Sequence, residues 1–109
     1  MSARYVVRPK ADQDLDDQAD YLATEAGPDV GHRFLVAAHE TFALLATQPE
    51  MGWHFRLQHP GLESLRVFRV SGFERMLVLY HPRRDGVEIL RVVHGSRNLA
   101  ALLRREGLK

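Results

Sequence analysis

Between Leu65 and Leu103 the chain carries Arg66, Arg69, Arg75, Arg91 and Arg97, together with Tyr80 and His94. Histidine titrates near neutral pH, and guanidinium groups stay charged and grip phosphate through a rigid fork of N–H donors. Such a set suits cleavage of an RNA phosphodiester. His94 would move a proton at the 2′-hydroxyl or the leaving oxygen, while Arg91 and Arg97 would hold the charge growing on phosphate. The same residues have a second reading, in which His94 closes a strand and the arginines pair with acids of the first helix or with a protein partner. General acid–base work asks for a further titratable group in the pattern, and none stands there, which favours the binding reading.

Other chemistries find less support. Cysteine is absent, which removes disulfides, thiolate metal sites and a thiol nucleophile. Ser71 and Ser96 are accounted for by a turn and a helix cap. Asp12, Asp14 and Asp16 have the spacing that opens a calcium loop, but Asp17 and Ala23 stand where glycine and glutamate are required. His54 and His59 lie in a loop without a third ligand at metal-site spacing, so no metal is expected. No phosphate loop, dinucleotide fingerprint or nucleophile elbow occurs, and no cofactor is implied.

The arginines fall on short strands. Leu65–Val70 and Phe73–His81 are apolar runs split by Ser71-Gly72, a two-residue hairpin signal. A third run, Val87–His94, follows a turn cluster from Pro82 to Gly86. Strands joined so tightly are antiparallel, giving a three-strand meander. Simple alternation puts Ile89, Arg91 and Val93 on one face, and Leu90, Val92 and His94 on the other. Neither set is purely polar, so both faces should be at least partly covered.

Upstream, Arg4–Arg8 is a short strand ended by Pro9 and destined for a sheet edge. Leu15, Ala19, Leu22 and Ala26 mark one helix, and Gly27-Pro28 breaks it. Val30, Phe34, Ala38, Phe42 and Leu45 mark a second, stopped by Gln48-Pro49. Glu50–Ser64 reads as an irregular loop in which Trp53 and Phe55 would anchor on the helical hairpin. Ser96–Glu106 is a closing helix, with Ser96 as its cap, Leu99, Leu102 and Leu103 on its apolar side, and Gly107 as its stop. The expected class is α+β, in the order β-α-α-β-β-β-α.

The chain has 109 residues, 45% of them hydrophobic, which suits one domain spanning 1–109 with its own core. No run is long and apolar enough to span a membrane, no signal peptide is evident, and a cytoplasmic location is expected. Residues 1–64 hold 5 Lys and Arg against 10 Asp and Glu, and residues 65–109 hold 10 against 4, so the halves carry −5 and +6. Either the basic half faces an acidic partner, or the acidic first helix neutralises it from within.

The strand, helical hairpin and meander, ending in VEILRVVHGSRNL over Val87–Leu99, resemble the ParE branch of the RelE/ParE toxin superfamily. The most specific parts are Phe73–Tyr80, with Arg75 ahead of an apolar strand, and Ile89–Arg97. The resemblance implies the toxin of a type II toxin–antitoxin (plasmid stabilisation) module that inhibits DNA gyrase by binding. It also implies a ParD-like antitoxin whose acidic amphipathic C-terminal segment holds the toxin in a hetero-oligomer, with DNA reached only through the antitoxin. The residues then expected to contact target or antitoxin are Arg66, Arg69, Arg75, Tyr80, Arg91, Arg97, Arg104 and Arg105. RelE-type relatives instead cut mRNA on the ribosome, and that alternative would use His94, Arg91 and Arg97 as catalytic residues. Lysine only at Lys10 and Lys109, and no tyrosine after Tyr80, favour ParE over that alternative. A third alternative is a non-toxic interaction module on the same fold.

Overall fold

Each early element starts where proline allows it. In the computed structural model, which describes residues 3–56, 60–96 and 98–106, β1 (Arg4–Val7) runs into Pro9, and α1 (Pro9–Ala26) and α2 (Pro28–Thr47) both open on proline. A proline in the first helical turn sacrifices an N–H that would have had no partner there. Asp12 and Asp29 lie in the first turns, next to the positive ends of the helix dipoles. The two helices touch closely at Gly31, where an added Cβ would sit 2.7 Å from the carbonyl oxygen of Ala19. Small residues at this contact let the apolar stripes of both helices turn together towards the sheet.

The sheet follows as β2 (Trp53–His54), β3 (Arg66–Val70), β4 (Phe73–Arg83) and β5 (Gly86–His94), and α3 (Leu99–Glu106) ends the order. In space the strands run β1-β5-β4-β3-β2. β1 lies parallel to β5, and the other pairs are antiparallel. The meander, the hairpin of helices and the edge position of β1 match the sequence reading, and the class is α+β.

Both sheet faces are covered, which explains why β4 and β5 read as almost continuous apolar runs. On one face Leu15, Phe34, Phe42 and Leu45 of the helical hairpin pack on Val78, Tyr80, Ile89 and Val92. On the other, Leu102 and Leu103 of α3 pack with Leu62, Leu65, Val67, Leu79, Leu90 and Val93. The layers are therefore hairpin, sheet and α3.

Four details depart from the sequence reading. The segment expected to be a loop contributes β2, because Trp53 and His54 pair with Val67 and Arg66. β4 runs through Pro82 to Arg83; β3 pairs with β4 only as far as Tyr80, so the missing N–H of Pro82 falls on an unpaired side. The cap of α3 is Asn98, whose Oδ1 accepts from the Ala101 N–H at 3.1 Å, and not Ser96; Gly107 lies outside the described residues. Finally, the β4–β5 register shifts between Leu79 and Tyr80, so that Leu90 is an extra residue on β5. This bulge breaks the expected alternation: Ile89 and Val92 face the hairpin, while Leu90 and Val93 face α3.

One interior polar group deserves a pH argument. His81 is buried, its Nδ1 lies 2.9 Å from the Ser64 hydroxyl, and its Nε2 is buried without a hydrogen-bond partner among the described residues. Burial, helped by the neighbouring Arg83 charge, lowers its pKa from the ordinary 6.5. In acid the unfolded chain therefore binds this proton before the folded chain does. Stability contributed by neutral His81 is complete above the unfolded value and is lost as pH falls towards the lowered one. Thermal unfolding followed between about pH 7 and pH 5 should show Tm falling with pH, with a clearly shallower fall in His81→Leu.

Candidate functional site

The arginines of the sheet divide into those that the fold consumes and those that it presents. Arg91 is consumed. Its Nε donates to Asp14 Oδ2 at 2.6 Å and its Nη2 to Asp14 Oδ1 at 2.9 Å, a two-pronged pair in the interior. Asp14 also accepts the backbone N–H of Val92 at 2.9 Å. The location explains this third bond: β1 pairs with β5 only as far as Ile89, so the edge of β5 lies open beyond it. The carboxylate of α1 takes up a backbone donor that a longer β1 would have met. Acidic helix and basic strand thus do neutralise each other, but at this one buried pair; Asp12, Asp16, Asp17 and Asp20 of α1 are exposed.

Arg66 and Tyr80 are register partners that grip the segment leading into β2. Arg66 Nη1 donates to the Gly52 carbonyl at 2.7 Å and to the Glu50 carbonyl at 3.2 Å. The Tyr80 hydroxyl donates to the Pro49 carbonyl at 2.7 Å and accepts from the Gly52 N–H at 3.0 Å. Gly52 has no room for a side chain, since a Cβ there would lie 2.6 Å from that hydroxyl. Burial pushes the Tyr80 pKa above its ordinary value, so the hydroxyl keeps its proton and remains a donor. Tyr80 is fully enclosed and Arg66 half-enclosed, so the structure gives both of these expected contact residues an internal task.

Arg69, Arg75, Arg104 and Arg105 are exposed. Arg69 lies opposite Leu77, and Arg75 precedes Leu77 by two residues, so all three share the sheet face that α3 covers elsewhere. Trp53 joins them from β2, 42% exposed, with the Arg69 guanidinium 5.1 Å from its ring centroid. Stacking holds both rigid without hiding the charge. Trp53 therefore stands at the sheet surface beside an arginine and not inside the hairpin core, as its aromatic character had suggested. The result is an open half-face with two cations, one aromatic ring and the half-buried Leu77.

The catalytic trio considered for RNA cleavage is not brought together among the described residues. Arg91 is enclosed by Asp14, and Arg97 lies outside the described residues, as does His59. His94 pairs with Met76, which belongs to the hairpin-side core, so it stands on the opposite face from Arg75. Its Nδ1 accepts the Ser96 N–H at 3.1 Å and meets the Ser96 hydroxyl at 2.8 Å, a tight local turn. His54 meets the Glu63 carbonyl through Nε2 at 2.7 Å, and no cluster of potential metal ligands occurs among the described residues.

Asp14 is the residue that sequence reasoning missed. The signal was present: Ala11, Asp14, Leu15 and Ala19 have the i, i+3, i+4, i+8 spacing of a buried helical face, and an acid on such a face needs a partner.

Comparison with known proteins agrees with the architecture. The family model described as "ParE toxin of type II toxin-antitoxin system, parDE" matches residues 5–99. The structure titled "Chromosomal ParDE TA system from P. aeruginosa" aligns with a TM-score of 0.68 at 17% identity, covering 85% of this chain and 96% of that one. At that identity the likeness speaks for the fold. No curated protein matches the chain.

Two substitutions test the internal tasks. Asp14→Ala strands a buried guanidinium and should lower stability by about 3–5 kcal/mol in denaturant unfolding, whereas Asp14→Leu combined with Arg91→Met should recover much of that loss. Tyr80→Phe leaves the Pro49 carbonyl and Gly52 N–H unsatisfied and should remove about 1–3 kcal/mol by the same measurement.

Proposed function

This chain belongs to the ParE toxin family of type II toxin–antitoxin systems, and from that premise we propose that it arrests its target, DNA gyrase, by binding and not by catalysis. The observation that carries the proposal is the sorting of the arginines. Arg69 remains exposed against Trp53, and Arg75 remains exposed further along the same sheet face, which is the arrangement of a contact surface for an acidic or nucleic-acid-handling macromolecule. Arg104 and Arg105 extend the basic character onto α3, where they also complement the negative end of the helix dipole.

Binding of this kind needs control, and the control is a cognate antitoxin. An acidic amphipathic segment suits a surface on which apolar side chains lie next to unpaired guanidinium groups. In the resulting hetero-oligomer the toxin would meet DNA only through its antitoxin. Arg91 and Tyr80 contribute to this surface by holding its frame in place, since both are enclosed. Arg97 lies outside the described residues and keeps its place among the proposed contact residues on the sequence reading alone.

The test compares two targets with one preparation. Purified toxin should inhibit supercoiling by DNA gyrase and leave ribosome-bound mRNA intact. Arg75→Glu should weaken the inhibition by about tenfold or more while leaving the unfolding midpoint nearly unchanged, because reversing an exposed contact charge acts on association more than on folding. Cleavage of mRNA that disappears in His94→Ala, without inhibition of gyrase, would overturn the proposal.

A further inference from the structure

One ionisable side chain sits inside the core on the α3 side. Alternation along β4 places His81 on the face of Leu77 and Leu79, away from Val78 and Tyr80, and the residue is buried. Against it lies the turn of residues 61–65, which carries Leu62 and Leu65 into the cluster that Leu102 and Leu103 of α3 complete. Two histidines hold this turn. His54 Nε2 donates to the Glu63 carbonyl at 2.7 Å, and His81 Nδ1 lies 2.9 Å from the Ser64 hydroxyl. The first contact is indifferent to protonation, because a carbonyl only accepts and Nε2 donates to it in either state of the ring. The second is not, because of what surrounds the ring.

An imidazolium carries two N–H donors. Ser64 can turn its hydroxyl and accept one, but Nε2 is enclosed without a hydrogen-bond partner among the described residues. Charged groups reach the ring from three directions: Arg83 further along β4, Glu88 as its register partner on β5, and Arg8 at the end of β1. The turn adds Glu63, whose carboxylate accepts the Gly61 N–H at 3.2 Å, and the arginines of α3, Arg104 and Arg105, stay exposed. Glu88 would attract a charged ring, but Arg8 and Arg83 already share its carboxylate. Both arginines repel that ring. The enclosed donor and the two cations therefore act with burial against the protonated form while the turn is closed.

Lifting the turn gives the ring water. Ser64 is already exposed, and the hairpin-side core lies across the sheet, so one layer can open while the other stays packed. We infer that His81 is an acid-operated latch: its protonation frees residues 61–65 from the sheet and loosens α3, which packs on Leu62 and Leu65 of that turn. With the latch closed, Arg104 and Arg105 are held against the sheet; in acid, the basic surface of α3 loses its support. The sign follows from linkage. The enclosed ring binds a proton more weakly than a solvated one, so opening takes up a proton. Below the ordinary value of 6.5, each unit of pH raises the open population by up to about tenfold, until the closed form is protonated too. The inference is independent of the target and of the antitoxin.

The experiment is hydrogen exchange by NMR on the full chain between pH 7 and pH 5, with rates corrected for the intrinsic effect of pH and with the histidine rings titrated in the same samples. The Leu65 and Leu102 amides, which donate to the Leu62 and Asn98 carbonyls, report the turn and α3, and the Phe42 amide in α2 reports global unfolding. Leu65 and Leu102 should exchange at least about tenfold faster than Phe42 throughout, and their protection should fall by about tenfold or more from pH 7 to pH 5. His81→Leu should abolish most of that fall, and His54→Gln should keep it. Should His81→Leu fail to fold, the wild-type titration decides: the His81 ring should begin to take up its proton over the same pH range in which Leu65 and Leu102 lose protection. Exchange of Leu65 and Leu102 at the rate of Phe42 would overturn the latch, since opening would then be global. A pH dependence that survives His81→Leu, or that disappears in His54→Gln, would overturn it as well.

Discussion

One buried contact holds the arrangement together: the carboxylate of Asp14 on α1 against the guanidinium of Arg91 on β5. It joins residues 77 positions apart and also closes the open edge of β5 through the Val92 N–H. Two charges removed from water repay their desolvation only when their hydrogen bonds are well made, and such a pair adds less net stability than its appearance suggests. Its larger effect is positional. The pair forms only when α1 lies at one rotation and one height on the sheet, because the two-pronged geometry and the backbone bond must be met together. With α1 so placed, α2 follows through the close contact at Gly31, and both apolar stripes land on one face of the sheet.

The sorting of arginines follows from coverage. Where the hairpin lies over the sheet, a guanidinium must be satisfied internally, and Arg91 finds Asp14. Where the chain wraps back into β2, Arg66 spends its donors on two backbone carbonyls. On the part of the face that α3 leaves uncovered, none of the described residues encloses Arg69 and Arg75, and they remain charged at the surface. The open basic half-face is thus the remainder left by packing. The described α3 of eight residues packs its Leu102 and Leu103 on only part of this face.

Helical spacing in α1 and α2, hairpin chemistry at Ser71-Gly72 and the doubly apolar runs of β4 and β5 were legible in the sequence, because each is a local pattern that local backbone geometry must obey. From these followed the order of elements, the covered sheet and the family resemblance. The fate of each arginine was not legible, since it depends on which acid or carbonyl arrives from elsewhere in the chain. Alternation along β5 also misled, because the bulge at Leu90 changes which residues face the hairpin, and a bulge is decided by pairing with β4 and not by the composition of β5. Sequence therefore determined the elements and most of their buried faces, whereas tertiary structure decided which charges were consumed in building them and which were left exposed; periodicity is a property of neighbours along the chain, and the neutralisation of a charge is a property of neighbours in space.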